Sequence, residues 1–253
     1  AMHIPTEARI TLPMAKHTFL ITGASVGIGR ATAEQLAAAG HTVIGMARRA
    51  VSDFPGDYRQ VDLADRAATG AALLELSAEY QIDGLVNNVG LVRPAPLEEI
   101  TLEDLSDVYS VNVACAVQCM QAVLPAMKAK GYGRVVNIAS LVTSGVPHRT
   151  SYAAAKCALV SCTTSWALEL AADGITVNAV SPGPTSTELF NRNNPPGSAG
   201  YARYTGMVPM GRVAPPEEIA CAVCFFLAEE ASFITGQNLY VDGGASVGPA
   251  PAK

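Results

Sequence analysis

Tyr152 and Lys156 stand four residues apart in a run, residues 151–172, that reads as a helix, so they share one face. A free phenol titrates near 10, too high for an efficient proton exchanger at neutral pH, and a neighbouring ammonium lowers that value by roughly 1–3 units. The pair either does proton chemistry or decorates a solvated helix face. The alanines between them, Ala153 to Ala155, would let a flat ligand lie against the helix. Ser140 follows a strand-like run, residues 134–138. A hydroxyl there can hydrogen-bond a substrate oxygen or merely cap a turn. Asn112 interrupts the apolar run Val111-Asn112-Val113-Ala114. A buried amide without partners costs on the order of 1–3 kcal/mol, so it must be bonded, as structural glue or within a site.

A second group of residues suits an anionic ligand. Thr22-Gly23-Ala24-Ser25-Val26-Gly27-Ile28-Gly29 lies between a first strand (17–22) and a first helix (28–39). Glycines allow a tight turn and close backbone approach, and the helix start offers free N–H groups to a pyrophosphate. The spacing is Gly-x-x-x-Gly-x-Gly rather than G-x-G-x-x-G, and no Gly-Lys-Ser/Thr follows, so it is not a P-loop. It reads as a dinucleotide cradle or as a plain tight turn. Ala47, Arg48 and Arg49 follow the second strand (42–46), with no acid before Asp53. A carboxylate there would repel a 2′-phosphate, whereas arginine grips one, so the residues favour NADP over NAD. The alternatives are two solvated arginines, or an NAD site in which Asp53 reaches the ribose.

These residues need a scaffold, and the pattern supplies one. Further strands are expected at 58–61, 84–86, 175–180 and 237–241. Helices are expected from Asp65, as cap, towards Tyr80, over 102–130 with a bend near Pro125, and over 216–228. Ala155, Leu159, Cys162, Trp166 and Leu170 form an apolar stripe on the 151–172 helix. Strands and helices alternate without an internal linker. The expected fold is therefore α/β, a single-domain Rossmann fold with a doubly wound parallel sheet of about seven strands and helices on both faces. The domain is expected over 17–244, after an N-terminal extension (1–16) and before a tail (245–253). Residues 185–213, rich in Asn, Pro and Gly, break the rhythm and are expected to be an irregular substrate lid.

Composition excludes several classes. Of 253 residues 49% are hydrophobic and 15% charged, too apolar for a disordered chain. The net charge of -5, without basic runs, argues against nucleic acid. No uninterrupted apolar run approaches the roughly eighteen residues of a membrane span. The six cysteines sit within helical apolar patterns and read as small hydrophobes, with Cys221-x-x-Cys224 lacking the second pair of a metal site. No metal is expected, and the expected compartment is the reducing cytoplasm.

Taken together and in order, the landmarks resemble the short-chain dehydrogenase/reductase family over residues 17–244, within it the 3-oxoacyl-carrier-protein reductases. They are Thr22-Gly23-x-x-x-Gly27-Ile28-Gly29, Asp62, Asn87-Asn88-Val89-Gly90, Asn112, Ser140, Tyr152-x-x-x-Lys156, Pro182-Gly183, Gly236-Gln237 and Asp242-Gly243-Gly244. The resemblance implies an oxidoreductase moving a hydride between a nicotinamide and a ketone or secondary alcohol. It makes Tyr152 the general acid/base, Lys156 its partner and a ribose ligand, Ser140 the carbonyl-orienting hydroxyl, and Asn112 the holder of a relay water. Coenzyme contacts are implied for Gly23, Ser25, Gly27, Ile28, Gly29, Arg48, Asp62 and Leu63, and for Asn88, Gly90, Tyr152, Lys156, Pro182, Gly183, Thr185 and Thr187. It also implies a homotetramer. Two departures stand out: Val89 replaces the usual Ala, and the Ser140-to-Tyr152 separation of 12 is one shorter than a common family spacing. A non-catalytic dinucleotide sensor, or an NAD-linked alcohol or diol dehydrogenase, would share much of this pattern.

Overall fold

Buried strands without charges need helices on both faces, and the molecule is built that way. The computed structural model describes residues 15–248; most of the expected N-terminal extension and the last residues of the tail lie outside the described residues. In chain order the elements are β1 (Thr18–Thr22), α1 (Gly27–Ala38), β2 (Thr42–Ala47), β3 (Asp57–Gln60), α2 (Arg66–Glu79) and β4 (Gly84–Asn87). They continue with α3 (Leu102–Tyr109), α4 (Cys115–Lys130), β5 (Gly133–Ile138), α5 (Thr150–Leu170), β6 (Ile175–Pro182), α6 (Glu188–Asn193), α7 (Ala199–Met207), α8 (Pro216–Leu227) and β7 (Asn238–Val241). One seven-stranded sheet runs β3-β2-β1-β4-β5-β6-β7, and every pairing is parallel.

Alternate strand residues feed two cores. Leu20, Ile44, Leu85, Val135 and Val177 pack with Leu73 and Leu76 of α2, Cys119 and Val123 of α4, and Leu170 of α5. Phe19, Ile21, Val43, Val86, Val136 and Val180 pack on the other face with Leu36 of α1 and Ile219, Val223 and Phe226 of α8. Asp65 caps α2 as expected, accepting from the Ala67 and Ala68 amides.

Four sequence expectations are corrected. The expected bend at Pro125 is not the break in the 102–130 helix: α4 carries Pro125 inside it, and the break is a π segment, Ser110–Ala114. That helix as a whole is apolar and long enough to cross a membrane by composition, but half of its most apolar window is buried in the domain. The stripe of α5 is rotated: Ser151, Ala155, Lys156, Leu159, Thr163, Ala167 and Leu170 are buried, while Cys162 and Trp166 sit at its margin. Lys156 and Thr163 sit on that face bonded to β5, Lys156 through the Ile138 carbonyl and Thr163 through the Asn137 side-chain amide, while the Ser151 hydroxyl has no partner. Residues 185–213 are not irregular throughout, since Thr187 and Ser198 cap α6 and α7 by accepting from the Phe190 and Tyr201 amides. Of the cysteines, Cys115 and Cys119 are core residues, but Cys157 and Cys221 are exposed. Among the described residues no group of three or more His, Cys, Asp or Glu is arranged to hold a metal.

Candidate active site

Strand order reverses at β1, between β2 and β4, and ligands of open parallel sheets bind at the C-terminal strand ends beside such a reversal. The chain emerging from β5 and the first turns of α5 bring three residues together there. Ser140 is extended and its Oγ accepts from the Val142 amide at 3.3 Å, so the hydroxyl proton is free for another acceptor. Tyr152 is half-buried beside it. Burial pushes the phenol up to about 12, while the Ser140 hydroxyl and the Arg149 charge pull the other way. Lys156 is buried; its Nζ donates to the Ile138 carbonyl at 2.7 Å and lies 5.5 Å from the centre of the Tyr152 ring. Burial pulls its pKa down to about 7.

This corrects the simplest sequence argument. The groups that favour the phenolate are Ser140 and Arg149, and burial, which outweighs them, keeps the phenol protonated. The sequence marks Arg149 only as a loop residue available to substrate, not as a charge acting on the phenol. Its position three residues before Tyr152, one turn upstream, was the available signal.

The π segment explains Asn112. A π-bulge shifts the hydrogen-bond register within a helix, and such bulges recur at functional sites. Asn112 Nδ2 donates to the Leu91 carbonyl (2.9 Å) and the Val108 carbonyl (2.8 Å). Its Oδ1 is buried with no partner. A Cβ placed on Gly90 would meet that oxygen at 3.2 Å and Lys156 Nζ at 3.8 Å. The bare α-carbon of Gly90 thus keeps open a gap between an orphan acceptor and an amine with donors to spare. A water or ligand hydroxyl there would satisfy both.

A polar ladder underlies this cluster. Asn87 and Asn137 face each other across β4 and β5; Asn87 Nδ2 donates to Asn137 Oδ1 (2.8 Å), and Asn137 Nδ2 donates to Thr163 Oγ1 on α5 (2.9 Å). Sequence reading found Asn87 only as a family landmark and missed the other two.

The glycine-rich turn has the features of an anion cradle. Gly23 (φ +66°) and Gly27 (φ +61°) take left-handed conformations. No side chain caps α1 and its first turn holds no acid, so its leading amides are open to an anion. Ser25 approaches the Tyr58 hydroxyl, while Ile28 and Gly29 form the first turn of the helix. Asn88 Nδ2 donates to the Thr22 and Gly23 carbonyls, both at 3.0 Å, so this amide braces the turn. Beyond β3, Asp62 is exposed, with one oxygen accepting from the Ala64 amide, and Leu63 is buried. Across the crevice Pro182 ends β6 and Thr185 Oγ1 donates to the Gly183 carbonyl (2.9 Å). The Thr187 methyl sits so close to Gly27 that a Cβ there would meet it at 3.2 Å. Arg48 is exposed and forms no ion pair among the described residues, whereas Asp53 is held by Arg30 at 3.2 Å. These residues fit a dinucleotide: open helix amides for its pyrophosphate, a glycine gap lined by Asn112 and Lys156, and a free guanidinium at the adenosine end.

A family model described as Enoyl-(Acyl carrier protein) reductase matches residues 23–246. The chain belongs to the short-chain dehydrogenase/reductase family. The 3-oxoacyl-(acyl-carrier-protein) reductase FabG of Escherichia coli (strain K12) is 39% identical over 235 residues, 89% of this chain and 95% of that protein. Two solved structures are similar. One, assigned as an NAD(P)-dependent gluconate 5-dehydrogenase from Beutenbergia cavernae, holds NADP at low occupancy. It is 34% identical with a TM-score of 0.86, covering 93% of this chain and 99% of its own. The other, the aldohexose dehydrogenase of Thermoplasma acidophilum in ligand-free form, is 29% identical with a TM-score of 0.87, covering 94% and 97%. The short-chain dehydrogenase/reductase landmarks therefore converge in space: Asn112, Ser140, Tyr152 and Lys156 at one end of the crevice, the glycine-rich turn and Arg48 at the other.

Proposed function

We propose that this protein is an NADP-dependent oxidoreductase that interconverts a ketone and a secondary alcohol, with 3-oxoacyl thioesters as the leading substrate class. The observation that carries this reading is the grouping of Ser140 beside Tyr152, Lys156 beside the Tyr152 ring, and the gap at Gly90 between Lys156 and the orphan Asn112 oxygen. When bound, the nicotinamide supplies or accepts the hydride. Ser140 orients the substrate carbonyl with its free hydroxyl proton. Tyr152, held protonated by burial, donates to the oxygen as negative charge develops on it, and takes the proton back in the reverse direction. Lys156 and Asn112 hold a water or hydroxyl between them that can return a proton to the phenol. Arg48, free and exposed, supports the phosphorylated coenzyme, as does NADP in the Beutenbergia relative. Asp53, occupied by Arg30, is poorly placed to serve NAD.

The reductase relatives support acyl thioesters, and the sugar-dehydrogenase neighbours name the competing substrate class. Residues 185–213 act as the lid over either. The family resemblance further supports a cytoplasmic location and a homotetramer; light scattering on the purified protein tests the tetramer. The deciding experiment is an absorbance assay of NADPH oxidation with a 3-oxoacyl thioester, a cyclic ketone and a keto sugar. Turnover with NADPH and the thioester is expected. Turnover only with NADH, or with none of the ketones, overturns the reading.

A further inference from the structure

Two adjacent arginines leave the end of β2, and they are differently occupied. Arg48 has its guanidinium in solvent. Arg49 reaches across the crevice to the lid, where Nη1 lies 2.8 Å and Nη2 3.4 Å from the two oxygens of Glu188, at the start of α6. The Arg49 backbone is fixed from below, since the Tyr58 hydroxyl donates to its carbonyl at 2.5 Å. Glu188 is also gripped by Arg192 one turn along α6, at 3.0 Å, and the Arg49 hydrogen bond holds its carboxyl below the usual carboxylate range. The preceding residue, Thr187, packs its methyl against Gly27. The root of the lid is therefore tied down over the glycine-rich turn at one point and to the end of β2 at another. A dinucleotide stretched from the glycine-rich turn to Arg48 would lie beside that tie.

We propose that Arg49 and Glu188 form a strap that retains the coenzyme, leaving Arg48 alone to read the 2′-phosphate. The proposal rests on the dinucleotide reading above. It makes Arg49 a positioning residue that grips the lid, in contrast to a second phosphate ligand. The two roles predict opposite signs. If Glu188 merely borrows a phosphate-binding Arg49, removing its charge frees that arginine and tightens NADPH. If the pair is a strap, removing either charge loosens the lid and speeds release of NADPH and NADH alike.

The test is a double-mutant cycle on the full chain, Glu188→Gln, Arg49→Gln and the pair together, with Arg48→Gln alongside. Dissociation rates of NADPH and NADH are read by stopped-flow fluorescence, and thermal melts confirm that each variant folds. Both single variants should release either coenzyme about three- to tenfold faster, with the double variant no faster than the singles. Arg48→Gln should weaken NADPH and spare NADH. Slower NADPH release in Glu188→Gln, a defect of Arg49→Gln confined to NADPH, or unchanged rates in both would each overturn the strap. Wild-type protein that binds neither coenzyme would instead overturn the functional reading itself.

Discussion

The two ends of the crevice are held together by different physics. At the end that holds Tyr152, Lys156 and Asn112 are buried, Tyr152 is half-buried, and Lys156 Nζ and Asn112 Nδ2 donate to backbone carbonyls. At the adenosine end and the lid, the contacts are exposed ion pairs: Arg49 with Glu188, Arg30 with Asp53 and Glu34, and Arg212 with Glu218. Buried polar groups have one acceptable geometry because an unpaired one is costly. Exposed pairs are worth little individually and exchange partners freely. On the proposed function, the chain uses rigidity where atoms react, and exchangeable contacts where a ligand enters and leaves.

The comparison can be broken at the buried end first, where effects should be largest. Lys156→Met should lower kcat about a thousandfold, if the proton supply proposed for this amine goes with it. The same variant should be more thermostable than wild type, with a specific pH dependence. Burial lowers the lysine from its ordinary 10.5 to about 7, so below pH 7 the folded state carries the full cost of a buried charge. Between 7 and 10.5 the unfolded chain binds more protons, and wild-type stability rises with pH. Melting temperatures should differ most at or below pH 7 and converge towards pH 10.5; a gap independent of pH would show that the amine is not desolvated as argued. Ser140→Ala should lower kcat about a hundredfold with coenzyme affinity kept, checked by steady-state kinetics and NADPH titration. Thr163→Val removes the acceptor for Asn137 Nδ2 and should cost about 1–3 kcal/mol by urea unfolding, because a buried donor is left unpaired. At the exposed end, Arg30→Gln should change stability by less than about 1 kcal/mol in the same assay, and an effect equal to that of Thr163→Val would erase the contrast.

Sequence patterning made the elements and the reactive residue types legible at both ends, and their surroundings less so. Strand runs such as Phe19-Leu20-Ile21 and caps such as Asp65 announce themselves because local propensity and burial agree. The Tyr152–Lys156 spacing was readable because four residues on a helix means one face. Three features were not. The π segment at Asn112 depends on where a single residue is added to the helix register, which no apolar period encodes. The sign of the Tyr152 shift depends on burial outweighing nearby charge, and burial is a tertiary property. The partner of Arg49 lies 139 residues away on a segment that composition alone marked as irregular. Thr187 and Ser198 cap short helices there, but a segment rich in Asn and Pro carries no apolar period to announce them.

The central claim is that the Tyr152 phenol is the proton donor to substrate, while the remaining groups orient the substrate or resupply the phenol. Replacing Tyr152 with Phe removes one oxygen and leaves the ring that packs against α3 and the π segment. The account predicts that this variant binds NADPH with near-wild-type affinity and loses nearly all ketone reduction. Turnover comparable to wild type in the Phe variant would contradict it outright.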